Sequence, residues 1–481
     1  MRTYEHLFLG GDWREPRTPD WIEVISPATE QPVGRVPDAS RDDADGAVEF
    51  ARQAFDHGPW PRLSVAERIS HVARFAAEIR ARGDELADIL CAEVGLPRRT
   101  LPTGQIAKAD AVFTAFTELA AAHPWEATRP GTGGRTLRVR QLPVGVVAAI
   151  VPWNAPLLII ALKLAPALIA GATVILKPAV ESPLHTYLLA EAAMASGLPP
   201  GVLNILPAGP EVGEHLVGHP GVDKVSFTGS TAVGRRIGAI CGERMKRCTL
   251  ELGGKSAAIL LDDFEPTPSN ARMLVMGAMA NSGQICAAQS RVLVPRSRYK
   301  DVVEAIAETA SGLRVGDPAT ETTDIGPLVS RQQRDRVERY LRIGRQEGAS
   351  LVTGGGRPAI ERGWYVQPTV FADVDNRMTI AREEIFGPVA ALIPYDGEDE
   401  AIALANDSEY GLAGAVWTAD AERGERVAGR IRTGSVAVNS PAPLDPYGPF
   451  GGFKQSGVGR EGGPEAIAAY TEYQTILLPS Q

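Results

Sequence analysis

An α/β fold built on a parallel sheet wound with helices is predicted by three observations. Short apolar strand candidates alternate with helix-compatible stretches between residues 144 and 260. Gly-rich turns follow apolar stretches at 227–234 and 251–255, and the α/β alternation resumes over residues 300 to 440 as a second domain. Alternating βα units place helices on both faces of a parallel sheet, and ligands bind such sheets beyond the carboxyl ends of the strands. At 481 residues the chain exceeds one ordinary core, so two or three domains are expected.

The first third reads as a short strand-rich opening followed by helices. Ser40 with Asp43 makes a plausible N-terminal cap, and Ser64 with Glu67 makes a capping box. After the second cap, Val65, Ile69, Val72, Phe75 and Ile79 share one helical face, and Leu96-Pro97 is expected to end this helical region. Pro130 to Gly134 form a turn cluster, and Thr136 to Arg140 alternate apolar with polar, the pattern of a half-exposed strand. The strand candidates that follow are Val146–Val151, Ala172–Leu176, Val202–Leu206, Lys224–Phe227 and Ala257–Leu261. Between them lie the helix candidates Leu157–Ile169, Pro183–Ser196, Glu211–Gly218 and Val233–Cys241.

Hydrophobic residues make up 44% and charged residues 22%, the balance of a soluble globular protein. The net charge of −9 is spread along the chain without a basic face, which argues against nucleic acid as a partner. No run of roughly 18 apolar residues exists, and Met1 to His6 carry no apolar signal region, so no membrane partner and a cytoplasmic location are expected. Four widely spaced cysteines, Cys91, Cys241, Cys248 and Cys286, make a disulfide framework implausible. His215 and His219 with Cys241 and Cys248 superficially resemble a ligand set. Their spacing departs from that of zinc sites and His219-Pro220-Gly221 reads as a turn, so no metal is assigned.

Chemistry concentrates in a few places. Gly229 and Gly234 bracket the start of a helix, where free backbone amides suit a pyrophosphate, although glycines equally serve turns. The stretch is neither a P-loop nor a GxGxxG motif. Glu251 stands beside Gly253-Gly254, either as a solvated surface carboxylate or as a functional one with a partner. Cys286 follows a helix candidate that starts at about Ser269; Gly283 permits a close turn there, and Ala287 and Ala288 leave room around the sulfur. The last histidine is His219, so a Cys–His dyad is disfavoured and assistance by a carboxylate is favoured.

Taken in order, Val151-Pro152-Trp153-Asn154, Lys177-Pro178, Phe227-Thr228-Gly229-Ser230, Glu251-Leu252-Gly253-Gly254-Lys255, Gly283-Gln284-Ile285-Cys286, Glu384-Ile385-Phe386-Gly387-Pro388 and Pro449-Phe450-Gly451-Gly452 resemble the aldehyde dehydrogenase superfamily over nearly the whole chain. The resemblance implies a Rossmann-type cofactor domain over 1–122 and 142–253 and a catalytic domain over 254–458. A small β oligomerisation arm would come from 123–141 and 470–481, giving a homodimer or homotetramer. It implies oxidation of a small-molecule aldehyde to the acid. Cys286 would be the nucleophile, Asn154 an oxyanion donor and Glu251 the base that activates water.

The same resemblance places Lys177 on the adenosine ribose and Trp153, Gly229, Ser230, Gly234 and Leu252 around the cofactor. Glu384 would take the nicotinamide ribose, and Phe386 would pack near the nicotinamide. Many NAD-preferring relatives carry a glutamate three residues after the lysine. Here that position is Val180, with Glu181 next to it, so NAD is expected and NADP stays open. The implied pocket residues Ala155, Ile159, Leu162, Leu444 and Phe450 are all apolar, which favours an uncharged aldehyde. Two rivals are a coenzyme A-acylating dehydrogenase, whose branch commonly lacks the base at Glu251, and a catalytically silent protein on the same fold, which would have lost Cys286, Glu251 or Asn154.

Overall fold

The computed structural model describes residues 1–441 and 444–479; residues 480 and 481, the end of the predicted tail segment, lie outside the described residues. Four of the five predicted strands, with the unpredicted Arg247–Glu251, form the middle of an eight-stranded sheet, whereas the fifth, Ala257–Leu260, belongs to a second sheet. The order of the first sheet is Gly457–Val458, Arg247–Glu251, Lys224–Thr228, Val146–Ile150, Thr173–Lys177, Leu203–Ile205, Leu7–Leu9, Asp12–Arg14. The five central strands are parallel, and the pairings to the flanking strands are antiparallel.

From Val146–Ile150 the chain winds outward through Thr173–Lys177 and Leu203–Ile205. It then returns to the other side of the first strand for Lys224–Thr228 and Arg247–Glu251. The winding direction therefore reverses between Val146–Ile150 and Lys224–Thr228, and a crevice opens at their carboxyl ends. Trp153-Asn154 and Gly229-Ser230 sit immediately beyond those two ends.

Local signals set the helices between the strands. Pro156 opens helix Pro156–Ala170, and Gly171, at φ 97°, closes it in the left-handed conformation. That helix is apolar on every face except for Lys163, and all but one of its residues are buried. Both predicted capping boxes form, at Ser40 with Asp43 and at Ser64 with Glu67. The helix predicted from Pro183 starts at His185, where the buried Glu93 carboxylate accepts the Leu184 N–H at 2.8 Å and so caps it from a neighbouring helix.

The expectation that Leu96-Pro97 ends the helical region is corrected. Gly95, at φ 80°, ends helix Gly83–Val94, but the chain turns helical again at Pro102 and runs through Ala107–Ala122. A proline interrupts a helix yet serves well at the start of the next one.

A seven-stranded sheet, Ser350–Thr353, Thr369–Ala372, Val389–Tyr395, Arg291–Pro295, Ala257–Leu260, Ala413–Trp417 and Ser435–Val438, follows, parallel except at its first pairing. The alternating strand around residue 136 extends over Thr136–Pro143 and lies between Glu126–Pro130 and Thr471–Leu478 in an antiparallel three-stranded sheet. Among the described residues no helix is long and apolar enough to cross a membrane.

Candidate active site

The carboxyl ends of the first sheet face loops that lead into the second. Asn154 and Glu251 come from the first sheet; Cys286 precedes strand Arg291–Pro295 and Glu384 precedes Val389–Tyr395. Hydrogen bonds tie the sides together. Asn154 Nδ2 donates to Gln284 O at 2.9 Å, and Gly254 N–H donates to Glu384 Oε1 at 3.1 Å.

The turn that presents Cys286 is tightly specified. Helix Pro268–Met279, capped by Thr267, gives way to Asn281, Ser282 and Gly283, all at positive φ. A Cβ on Gly283 would lie 1.9 Å from Gly387 O, so only glycine fits. Asn281 Nδ2 donates to Asn154 O at 2.8 Å, and Gln284 Oε1 accepts the Val329 N–H at 3.0 Å. The paired glycines after Glu251 have the same explanation. A Cβ on Gly254 would meet Cys286 O at 2.3 Å, and one on Gly253 would meet Glu384 Oε2 at 2.6 Å.

Electrostatics make this a site of withheld charge. Burial, with Glu384 and Glu251 nearby, pushes the Cys286 thiol up to about 12. Glu251 is 4% exposed, and neither carboxylate oxygen accepts a hydrogen bond from the described residues. Burial and the negative charge of Glu461 drive its pKa well above the ordinary carboxylate value, while Lys163 and Arg460 pull the other way. A Cβ on Gly451 would lie 2.7 Å from Glu251 Oε1, which explains the glycine after Phe450. An unpartnered buried carboxylate acting on a half-buried thiol is an arrangement that can move a proton to and from water.

Lys163 and Glu461 were not among the sequence candidates. Lys163 Nζ bonds Glu461 Oε1 at 2.5 Å and Ser226 Oγ at 3.2 Å, all of it buried. One signal was available: Lys163 is the only charged residue in an otherwise apolar helix.

Around the crevice, the predicted cofactor residues fall into three groups. Lys177 is buried at the end of its strand, with Nζ only 3.3 Å from Pro178 O, a weak bond for a buried cation. Burial draws its pKa down to about 8 against the opposing charges of Glu181 and Asp38. Ser230 caps helix Thr231–Glu243 and stays exposed with Gly229 half-buried beside it, while Gly234 and Leu252 meet each other, since a Cβ on Gly234 would lie 2.3 Å from Leu252 Cδ2. Trp153 and Phe386 stand edge-to-face, with ring centroids 5.5 Å apart, and burial raises the Glu384 carboxyl. A buried, under-bonded cation, an open helix N-terminus and a half-buried carboxylate fit a dinucleotide.

Of the predicted pocket residues, Leu444 and Phe450 pack in one apolar cluster with Ile285, Cys286 and Leu412. Ala155 is half-buried at the start of its helix, whereas Ile159 and Leu162 are 7% and 3% exposed and belong to the large core of the first sheet. Leu444 touches both clusters, as Leu158 lines the core side. Ile285 and Leu412 join the Cys286 cluster although nothing in an apolar residue's identity singles them out in the sequence.

The chain matches the model of the aldehyde dehydrogenase family over residues 13–476. It belongs to that family. This aldehyde dehydrogenase is 46% identical to a geranial dehydrogenase of Castellaniella defragrans over 475 residues, covering 99% of each chain. It is also similar to a Mycobacterium tuberculosis aldehyde dehydrogenase solved with NAD+, at 48% identity and a TM-score of 0.97, covering 100% of this chain and 99% of that one. An aldehyde dehydrogenase C mutant from Pseudomonas syringae, solved with NAD+ and octanal, matches at 41% identity and TM-score 0.94, covering 98% and 96%. The enzyme is an NAD(P)-dependent oxidoreductase that converts an aldehyde to a carboxylic acid.

Proposed function

We propose that this dehydrogenase oxidises an apolar, uncharged aldehyde through a thioester on Cys286. The observation that carries the reading is the unpartnered Glu251 carboxylate acting on the Cys286 thiol, with the Asn154 amide tied to the turn that presents Cys286. The Cys286 sulfur attacks the carbonyl carbon. The developing oxyanion is held by the second N–H of the Asn154 amide and the Cys286 backbone N–H. NAD supplies the hydride acceptor that turns the thiohemiacetal into a thioester, and Lys177, Ser230 and Glu384 would hold it. Glu251 then takes a proton from the water that releases the acid.

The apolar wall of Ile285, Leu412, Leu444 and Phe450 supports the substrate class. So do a relative named for geranial and a similar structure holding octanal. Within this reading, residues 1–122 and 142–253 bind the cofactor and 254–458 complete the catalytic half. The outer sheet of 123–141 and 470–479, with Tyr473 and Leu477 at 64% and 60% exposure, packs on a second copy in a cytoplasmic homodimer or homotetramer.

Two outcomes test the parts. Asn154→Ala lowers kcat on the order of 10²–10³, with NAD affinity nearly unchanged, as loss of one oxyanion donor does; a kcat within twofold of wild type in steady-state assays contradicts the role. Val180 packs on the apolar core, while the carboxylate of Glu181 faces the charge of Lys177, so Glu181 opposes a 2′-phosphate. Glu181→Gln therefore lowers the NAD/NADP ratio of kcat/KM by roughly tenfold, through loss of like-charge repulsion. An unchanged ratio places the selectivity elsewhere.

A further inference from the structure

Two cysteines outside the active site face each other across a helix and the sheet. Cys241 lies near the end of helix Thr231–Glu243, 1% exposed, on the face that carries Ile237 and Ile240. Cys248 is the second residue of strand Arg247–Glu251, and its side chain joins Cys241, Ile237, Ile240 and Leu250 in one apolar cluster. A short turn separates them, folded back by a 2.9 Å bond from Lys246 N–H to Cys241 O. Both thiols are free and lie in the same apolar cluster.

The surroundings leave Cys248 open to a small reagent. The neighbouring strand Gly457–Val458 pairs only with Leu250 and Glu251, so half-buried Cys248 lies beyond that pairing, next to Arg247, whose guanidinium bonds Glu472. Contact with the Cys241 thiol draws Cys248 below the ordinary thiol value, whereas burial holds the Cys91 and Cys286 thiols up at about 12. The thiolate is the form that reacts with peroxides.

We propose that Cys241 and Cys248 form a reversible dithiol–disulfide modification site whose oxidant is a hydroperoxide. The site does not depend on the roles assigned to Cys286 and Glu251. The Cys248 thiolate attacks a peroxide oxygen; an S–O bond forms, the O–O bond breaks, and hydroxide leaves and is protonated. The Cys241 sulfur then attacks the Cys248 sulfenic acid; the S–S bond forms, the S–O bond breaks, and water leaves with the Cys241 proton. With hydrogen peroxide, two thiols and one peroxide give one disulfide and two waters. Side chains that already share one apolar cluster across a short closed turn need little rotation to reach this geometry. The closed loop restricts the unfolded chain, so the oxidised enzyme is the more stable form.

The test treats the purified full-length enzyme with a small excess of hydrogen peroxide, alkylates the remaining thiols and digests with trypsin. Cleavage after Arg236, Arg244, Arg247 and Lys255 leaves Cys241 in peptide 237–244 and Cys248 in peptide 248–255. The expected result is these two peptides joined, lighter by two hydrogens than their sum, and separated by dithiothreitol. Tm should rise by several degrees on oxidation and fall back on reduction. Cys248→Ser and Cys241→Ala should each lose both the linked peptide and the Tm rise, while untreated variants keep wild-type aldehyde oxidation. The proposal is overturned if both peptides remain separately alkylated at doses that already oxidise Cys286. Cys248 as a sulfinic acid with Cys241 still alkylated overturns it too, as does a Tm rise that persists in both variants.

Discussion

Cys286→Ala abolishes aldehyde oxidation and leaves NAD binding nearly intact. The sulfur is the only group on the proposed path that bonds to substrate carbon, so its removal takes away the covalent step rather than weakening it. The groups proposed to hold the cofactor stand elsewhere: Lys177 at its strand end, Ser230 at its helix cap and Glu384 on the loop before Val389–Tyr395. Cys286 meets Glu384 through charge, not through a bond that positions it. Turnover should therefore fall below detection, while the Kd for NAD, measured by fluorescence titration or calorimetry, stays within about threefold, a difference of less than 1 kcal/mol. Residual turnover near wild type would remove the covalent mechanism.

Glu251→Gln separates the two halves of the reaction. The amide keeps the shape of the side chain but accepts no proton, so acylation of Cys286 proceeds and release of the acid stalls. Stopped-flow mixing with aldehyde and NAD should show a burst of reduced cofactor approaching one equivalent per active site, followed by steady turnover reduced on the order of 10²–10⁴. Normal steady turnover would assign deacylation to another group. The pH profile gives a second reading. Burial and Glu461 raise the Glu251 pKa, and the base works only as a carboxylate. Wild-type kcat should thus fall as pH drops through a limb that lies above the ordinary glutamate range, and that limb should vanish in Glu251→Gln.

Much of this was legible before any coordinates, and for particular reasons. The strand Val146–Ile150, Val-Val-Ala-Ala-Ile, is buried along nearly its whole length, so it reads as a continuous apolar run that pattern alone identifies. Gly253, Gly254, Gly283 and Gly451 were visible as motifs, and the structure supplies their cause: each would drive a Cβ into a backbone or carboxylate oxygen of the site. Lys163 and Glu461 stayed hidden because their pairing joins positions far apart in the chain. Ile159 and Leu162, expected on the pocket wall, sit deep in the core, because an apolar helix gives no periodicity to distinguish one face from another. The restart of helix after Pro102 was missed for the opposite reason, since proline marks both the stop and the start of helices.

The reaction proposed is hydrolytic, NAD-dependent oxidation of an apolar aldehyde by Cys286 and Glu251. Its most direct measurement is formation of reduced cofactor by the purified enzyme without coenzyme A, across a panel of apolar and anionic aldehydes. The expected result is sustained turnover with NAD on apolar aldehydes, much lower kcat/KM on anionic ones, and one acid released per cofactor reduced. Turnover that requires coenzyme A, or that favours the anionic aldehydes, would contradict it.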